Sequence, residues 1–94
     1  MQLEDYFNYL GPLDIRVKGT RVGINIILWD YLDHDSRPEQ IVQHYPTLTM
    51  EQVYATLTYY WRYKEQMDSY LNAIDQLMEE QRREQDLHPS PAIQ

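Results

Sequence analysis

The 94-residue chain has no cysteine, so disulfides, thiolate nucleophiles and thiolate-ligated zinc are excluded. Its three glycines stand apart at Gly11, Gly19 and Gly23, which leaves no glycine-rich loop to cradle a phosphate. Long apolar runs are also missing. The longest, Val22 to Leu32, is broken by Gly23, Asn25 and Asp30, and a membrane-spanning helix needs about 20 apolar residues. Mean hydropathy is −0.70. Met1 to Asp5 holds two acids and no base, unlike a secretory leader, so cytoplasmic residence without a membrane partner is expected. Neither an HExxH helix nor a Ser/His/Asp arrangement is present. No enzymatic activity and no cofactor are expected. A chain of this length makes one domain with a marginal core, and association into a homo-oligomer is a common remedy.

What is present is unevenly charged. The net charge is −7, but Arg16, Lys18 and Arg21 place three of the eight basic residues within six positions. Lys64 to Asp86 carries seven acids against three bases. A basic front and an acidic rear suit two different partners, the front a polyanion. The competing reading is a solvated acidic helix and a hairpin whose cations pair with nearby acids such as Asp14.

The pattern changes along the chain. Tyr6 to Leu10 is short and aromatic, and Gly11-Pro12 stops it. Ile15, Val17 and Val22 alternate with Arg16, Lys18 and Arg21 around Gly19-Thr20, which reads as short strands about a turn. Ile24, Ile27, Leu28, Tyr31 and Leu32 then fall on one helical stripe ending near Asp33 to Asp35. Ser36-x-x-Glu39 reads as a capping box, with Pro38 in the first turn, for a two-turn helix whose apolar positions are Ile41, Val42 and Tyr45. Thr49-x-x-Gln52 is a second box, opening a helix over Thr49 to about Tyr63 with Met50, Val53, Leu57 and Trp61 inward. Two capped helices joined through His44 to Leu48 fit a helix-turn-helix.

From Lys64 the periodicity is the cleanest in the chain. Met67, Leu71, Ile74, Met78 and Gln81 follow a 4-3-4-3 rule, with Tyr70 alongside, over a rod of about 35 Å. The expected fold is mainly α: a short N-terminal β element, a helix-turn-helix three-helix core and a long C-terminal helix. Residues 1–63 are assigned to the β element and core, 64–86 to a long acidic amphipathic helix, and 87–94 to a disordered tail.

Two stretches carry a family resemblance. Asp14-Ile15-Arg16-Val17-Lys18-Gly19-Thr20-Arg21-Val22-Gly23-Ile24 is one. Pro38-Glu39-Gln40-Ile41, Tyr45-Pro46-Thr47-Leu48-Thr49 and Gln52 to Tyr60 together form the other. Both resemble the four-hundred-and-thirty-third family of domains of unknown function, over roughly Tyr6 to Leu71. The resemblance implies a small helix-turn-helix protein similar to VapB-type antitoxins, with operator DNA and a cognate PIN-like nuclease toxin as partners. Where that family often has a glycine before the second helix, this chain has Asp35, a residue type that tolerates the left-handed conformation.

The candidate DNA-binding residues are therefore Arg16, Lys18 and Arg21 on the turn, with Gln52, Thr56, Tyr59 and Arg62 on the second helix of the pair. Gln52, Thr56 and Tyr59 read as one outward face, flanked by Ala55, Thr58 and Arg62. Glutamine can pair with adenine, threonine can touch a thymine methyl, and arginine or tyrosine can hold phosphates. Met67, Tyr70, Leu71, Ile74 and Met78 are the candidate partner or dimer interface. The tyrosines and tryptophans read as core and protein interface rather than a stacking platform for bases. Asp30, Asp33 and His34 fall short of a metal site, having too few donors, and no bound metal is expected. The alternative function is a protein-interaction module in which the helix-turn-helix is only scaffold.

Overall fold

The computed structural model describes residues 2–87. The tail expected over 87–94 therefore lies outside the described residues, apart from Leu87, whose backbone closes the last helix. A 3-10 turn over Leu3–Tyr6 leads into β1, Phe7–Gly11, which pairs antiparallel with β2, Asp14–Val17. The register sets Phe7 opposite Val17 and Tyr9 opposite Ile15, with an irregularity between Tyr9 and Gly11. Phe7, Ile15 and Val17 face the core. The strands thus turn at Pro12-Leu13, while the Gly19 side contributes only a tight return. There Arg16 forms an isolated bridge with Gly23, and the Val17 amide donates to the Val22 carbonyl (2.9 Å). Gly19 makes this return possible at φ +83°, in the left-handed region that costs glycine little.

Four helices follow: α1 Ile24–Asp33, α2 Pro38–His44, α3 Met50–Arg62 and α4 Lys64–Leu87. The architecture is the expected one, mainly helical with a short β element in front. Ile24, Ile27 and Leu28 of α1, Ile41 of α2 and Val53 of α3 have no exposed surface. Burial of each such side chain is worth about 1.5–3 kcal/mol. Leu32, the last position of the α1 stripe, is instead 39% exposed.

Asp35 does take the left-handed conformation (φ +53°). The next amide, Ser36, then returns to the Asp30 carbonyl at 3.1 Å. The first capping box is displaced by one residue. Arg37 is the N-cap, its amide donating to Gln40 Oε1 (2.8 Å), because the Ser36 hydroxyl is already committed to Asp30. The second box is as expected: Gln52 N–H donates to Thr49 Oγ1 (3.1 Å) and Thr49 N–H to Gln52 Oε1 (2.8 Å).

A single residue, Tyr63, separates α3 from α4. It does not disconnect them, since the Met67 amide donates to the Tyr63 carbonyl at 2.8 Å. Met67, Tyr70, Leu71 and Ile74 pack α4 onto the core. Tyr70 also reaches the hairpin, where its hydroxyl accepts the Ile15 amide (3.0 Å). Tyr60 and Lys64 both hold Asp68, at 2.7 and 2.8 Å. From Asp75 to Asp86 every α4 residue is exposed, so the helix leaves the core after Ile74 and continues as an arm.

Candidate functional site

Three surfaces compete for function, and the first is the basic turn. Lys18 and Arg21 are exposed, and neither joins an ion pair among the described residues. The turn beneath them is fixed by Thr20, whose hydroxyl donates to the Val17 carbonyl (2.8 Å) and accepts the Val22 amide (3.1 Å). Arg16 differs. Its Nε and Nη2 grip the Asp14 carboxylate at 2.8 and 3.0 Å, which lowers the Asp14 pKa. A phosphate at Arg16 must compete with that fork.

The second surface is α3, where the face read as outward is covered. Thr56 is 0% exposed and donates to the Gln52 carbonyl (2.9 Å). Tyr59 is buried under Phe7, with ring centroids 4.9 Å apart, and Ala55 is buried too. The cause is the N-terminal segment. Tyr6 donates to Glu51, the Phe7 ring packs tilted against Tyr59, and Tyr63 donates to Glu4 (2.9 Å), so the 3-10 turn and β1 lie along this side of the helix. Burial and the Tyr59 hydroxyl, 3.4 Å away, drive the Tyr9 phenol pKa well upward. Thr56 and Tyr59 are consequently unavailable to DNA. Among the described residues the Gln52 amide nitrogen has no partner, but the oxygen that adenine pairing needs is held by the N-cap.

The exposed face lies more than about a third of a turn away and carries Glu51, Tyr54, Thr58, Trp61 and Arg62. Tyr54 and Trp61 are 50% and 55% exposed. Trp61, placed inward by the sequence pattern, therefore points out, and its inward place is taken by Tyr60. Arg62 alone of the candidate set on this helix is both exposed and without an ion-pair partner among the described residues.

The third surface is α4. Met67, Tyr70, Leu71 and Ile74 are buried within the monomer, so four of the five candidate interface residues hold the arm to its own core. Met78 (52% exposed) remains free. Beyond Ile74 the arm carries Asp75, Glu79, Glu80, Glu84 and Asp86 against Arg82 and Arg83, with Arg82 bonded to Glu79.

One polar cluster was not foreseen as a unit. Asp30, buried at the end of α1, accepts the Ser36 hydroxyl (2.5 Å) and meets His44 Nδ1 of α2 (2.6 Å). Burial opposes its charge, yet the Ser36 and His44 hydrogen bonds win and hold the carboxyl below its ordinary pKa. Asp33 and His34, grouped with Asp30 by sequence, lie exposed at the helix end. Among the described residues, no three His, Asp or Glu side chains are grouped to hold a metal ion. Asp30 ties α2 to α1 across the first turn of the helix-turn-helix. Its partners stand 6 and 14 residues away, so only His34, four residues on, suggested a neighbour.

The family described as "Protein of unknown function (DUF433)" matches residues 14–60, which is 47 of the 94 positions. The chain belongs to this family. The DUF433 match runs from β2 to α3 and takes in the basic turn and both helix-turn-helix helices. It is shorter than the stretch from Tyr6 to Leu71 suggested by the motifs, leaving β1 and α4 outside. No curated protein and no solved structure matches the chain. Among the described residues, no helix is long and apolar enough to cross a membrane.

Proposed function

We propose that this DUF433 protein is an antitoxin-like helix-turn-helix regulator whose α4 arm holds a PIN-like nuclease toxin. The observation that carries the proposal is the departure of α4 from its core after Ile74, five acids on its free length. Carboxylates on a projecting helix can occupy an electropositive groove meant for nucleic acid, which blocks the enzyme by charge complementarity. The test is to read the neighbouring gene for a PIN-like nuclease and to assay the inhibition of that nuclease; a neighbour that encodes no nuclease overturns the proposal. The intact protein should suppress RNA cleavage by that nuclease. A Glu80→Gln/Glu84→Gln/Asp86→Asn variant should bind it at least about tenfold more weakly, with a shallower salt dependence. Equal inhibition by both proteins overturns the assignment to the arm.

Operator DNA is the second ligand of this proposal, supported by the rigid basic turn. Its position favours the role: the Lys18 amide donates to the Tyr6 carbonyl (2.8 Å), and Tyr6 in turn bonds Glu51 in the first turn of α3. The Lys18 backbone is thereby tied through Tyr6 to the first turn of α3. Lys18→Ala/Arg21→Ala should weaken binding to the protein's own promoter at every sequence and reduce the salt slope by about two units. An unchanged gel shift leaves the alternative, a protein-interaction module on a helix-turn-helix scaffold. Homo-oligomerisation belongs to the same proposal, through exposed apolar groups such as Trp61 and Leu77 rather than the buried α4 stripe. Light scattering at tens of micromolar reads it directly, and a monomer there removes it.

A further inference from the structure

Helix α3 keeps one face bare. At 3.6 residues per turn, Tyr54 and Trp61 fall on one flank of that face, Thr58 on its midline, and Glu51 and Arg62 on the other flank. All five are exposed, whereas Val53, Thr56 and Tyr60 on the opposite side of the helix are buried. The two charges stand near opposite ends of α3, about 16 Å apart along its axis at 1.5 Å per residue. Arg62 joins no ion pair among the described residues. Glu4, which Arg62 approaches, is bonded by Tyr63 instead (2.9 Å). Glu51 accepts the Tyr6 hydroxyl through one carboxylate oxygen.

We propose that this face is the interface of a homodimer in which α3 packs antiparallel against α3 of a second copy. The proposal rests on the oligomerisation included in the proposed function and on no other part of it. When a two-fold axis relates two antiparallel helices, like flanks meet. The aromatic flank of one copy therefore lies on the aromatic flank of the other, and the charged flank on the charged flank. With the axis at the level of Leu57, Tyr54 comes within about 1.5 Å of the level of Trp61 in the second copy. Glu51 comes equally close to the level of Arg62 in the second copy. One axis position thus makes two aromatic pairs and two opposite-charge pairs together. Thr58, short and beside the axis, lets the two backbones approach. Glu51 opposes an acidic helix or a phosphate backbone, and Arg62 opposes a basic helix. A surface with both charges in reversed order satisfies each of them, and the antiparallel copy supplies it.

The test is charge reversal in the full chain, read by sedimentation equilibrium, with far-UV circular dichroism to show that each variant folds. Arg62→Glu sets acid against acid in both charge pairs and should raise the dimer dissociation constant at least about tenfold. Glu51→Lys sets base against base and should do the same. An equimolar mixture of the two variants restores both pairs and should regain the wild-type affinity as a heterodimer. Tyr6→Phe, which removes only the bond to Glu51, should leave the dimer intact. Tyr54→Ser/Trp61→Ser, at two exposed positions, should leave a folded monomer. In a Trp29→Phe background Trp61 is the single tryptophan of the chain's two, and its emission should move to the blue as dimer forms. A mixture no tighter than either variant alone overturns the proposal. So does stronger association of Glu51→Lys, which makes the acidic arm of a second copy the occupant. A dimer that survives Tyr54→Ser/Trp61→Ser removes the α3 face and leaves oligomerisation standing, whereas a monomeric wild type at tens of micromolar removes both. Failure of nuclease inhibition or promoter binding with the mixing result intact removes that part of the proposed function alone.

Discussion

At the scale of single residues, Asp30 and Tyr70 do the most with the least exposure. Asp30 joins α1 to Ser36 and to His44 of α2, so its charge is held by donors from two sides. Because its pKa is lowered in the folded state, its stabilisation is complete above the ordinary carboxylate range near about 3.9. It is lost as the pH falls through the lower folded value. Urea denaturation from neutral to acid pH should thus show the wild type more stable than Asp30→Asn at neutral pH, with the two converging in strong acid. A constant gap would place the effect in packing rather than charge. Tyr70 accepts the buried Ile15 amide. In Tyr70→Phe that donor has no partner, and stability should drop by about 1–3 kcal/mol with the helix content unchanged.

At the scale of elements, the termini of α3 decide how its faces are used. Thr49 and Gln52 satisfy each other's amides, and Thr49→Ala should cost about 1 kcal/mol in thermal or chemical unfolding. Gln52→Ala should destabilise comparably and affect every DNA sequence alike, in contrast to a base-reading glutamine that loses affinity at one base pair only. A sequence-selective loss in a variant of unchanged stability would return Gln52 to the readout set. The turn at Gly19 has a similar structural duty. At φ +83° an alanine is strained by about 1 kcal/mol, so Gly19→Ala should lower the melting temperature and disturb the presentation of Lys18 and Arg21 together.

At the scale of the whole molecule, the chain is a small core with a projecting helix, 52 Å in its longest dimension against 27 and 25 Å in the others. A helix of about a dozen residues is marginal without packing. Amides from Asp75 onward should therefore exchange with solvent orders of magnitude faster than those of Ile27, Leu28 or Val53. Binding of the nuclease partner should slow them. Slow exchange in the free protein would show that something already covers the arm, and self-association would be the first explanation to measure.

What the sequence determined by itself was local. Apolar period, capping pairs, the position of Pro38 and the left-handed tolerance of Gly19 and Asp35 depend on neighbours within a few residues, and these located the four helices and the second capping box. The family motifs add the turn sequences of the same region. Tertiary structure decided which faces are free, because that depends on segments far apart in the chain. The N-terminal turn and β1 cover Tyr59, some fifty positions later, and Thr56 is buried as well, while Tyr54 and Trp61 face outward. The α4 stripe looks the same in sequence whether it meets its own core or a partner. The reach of the core ends at Ile74, and only there does the amphipathic helix become an exposed acidic arm. The hydroxyl of Ser36 could cap α2 by sequence pattern, but folding brings the Asp30 carboxylate to it, and the charged acceptor takes the bond.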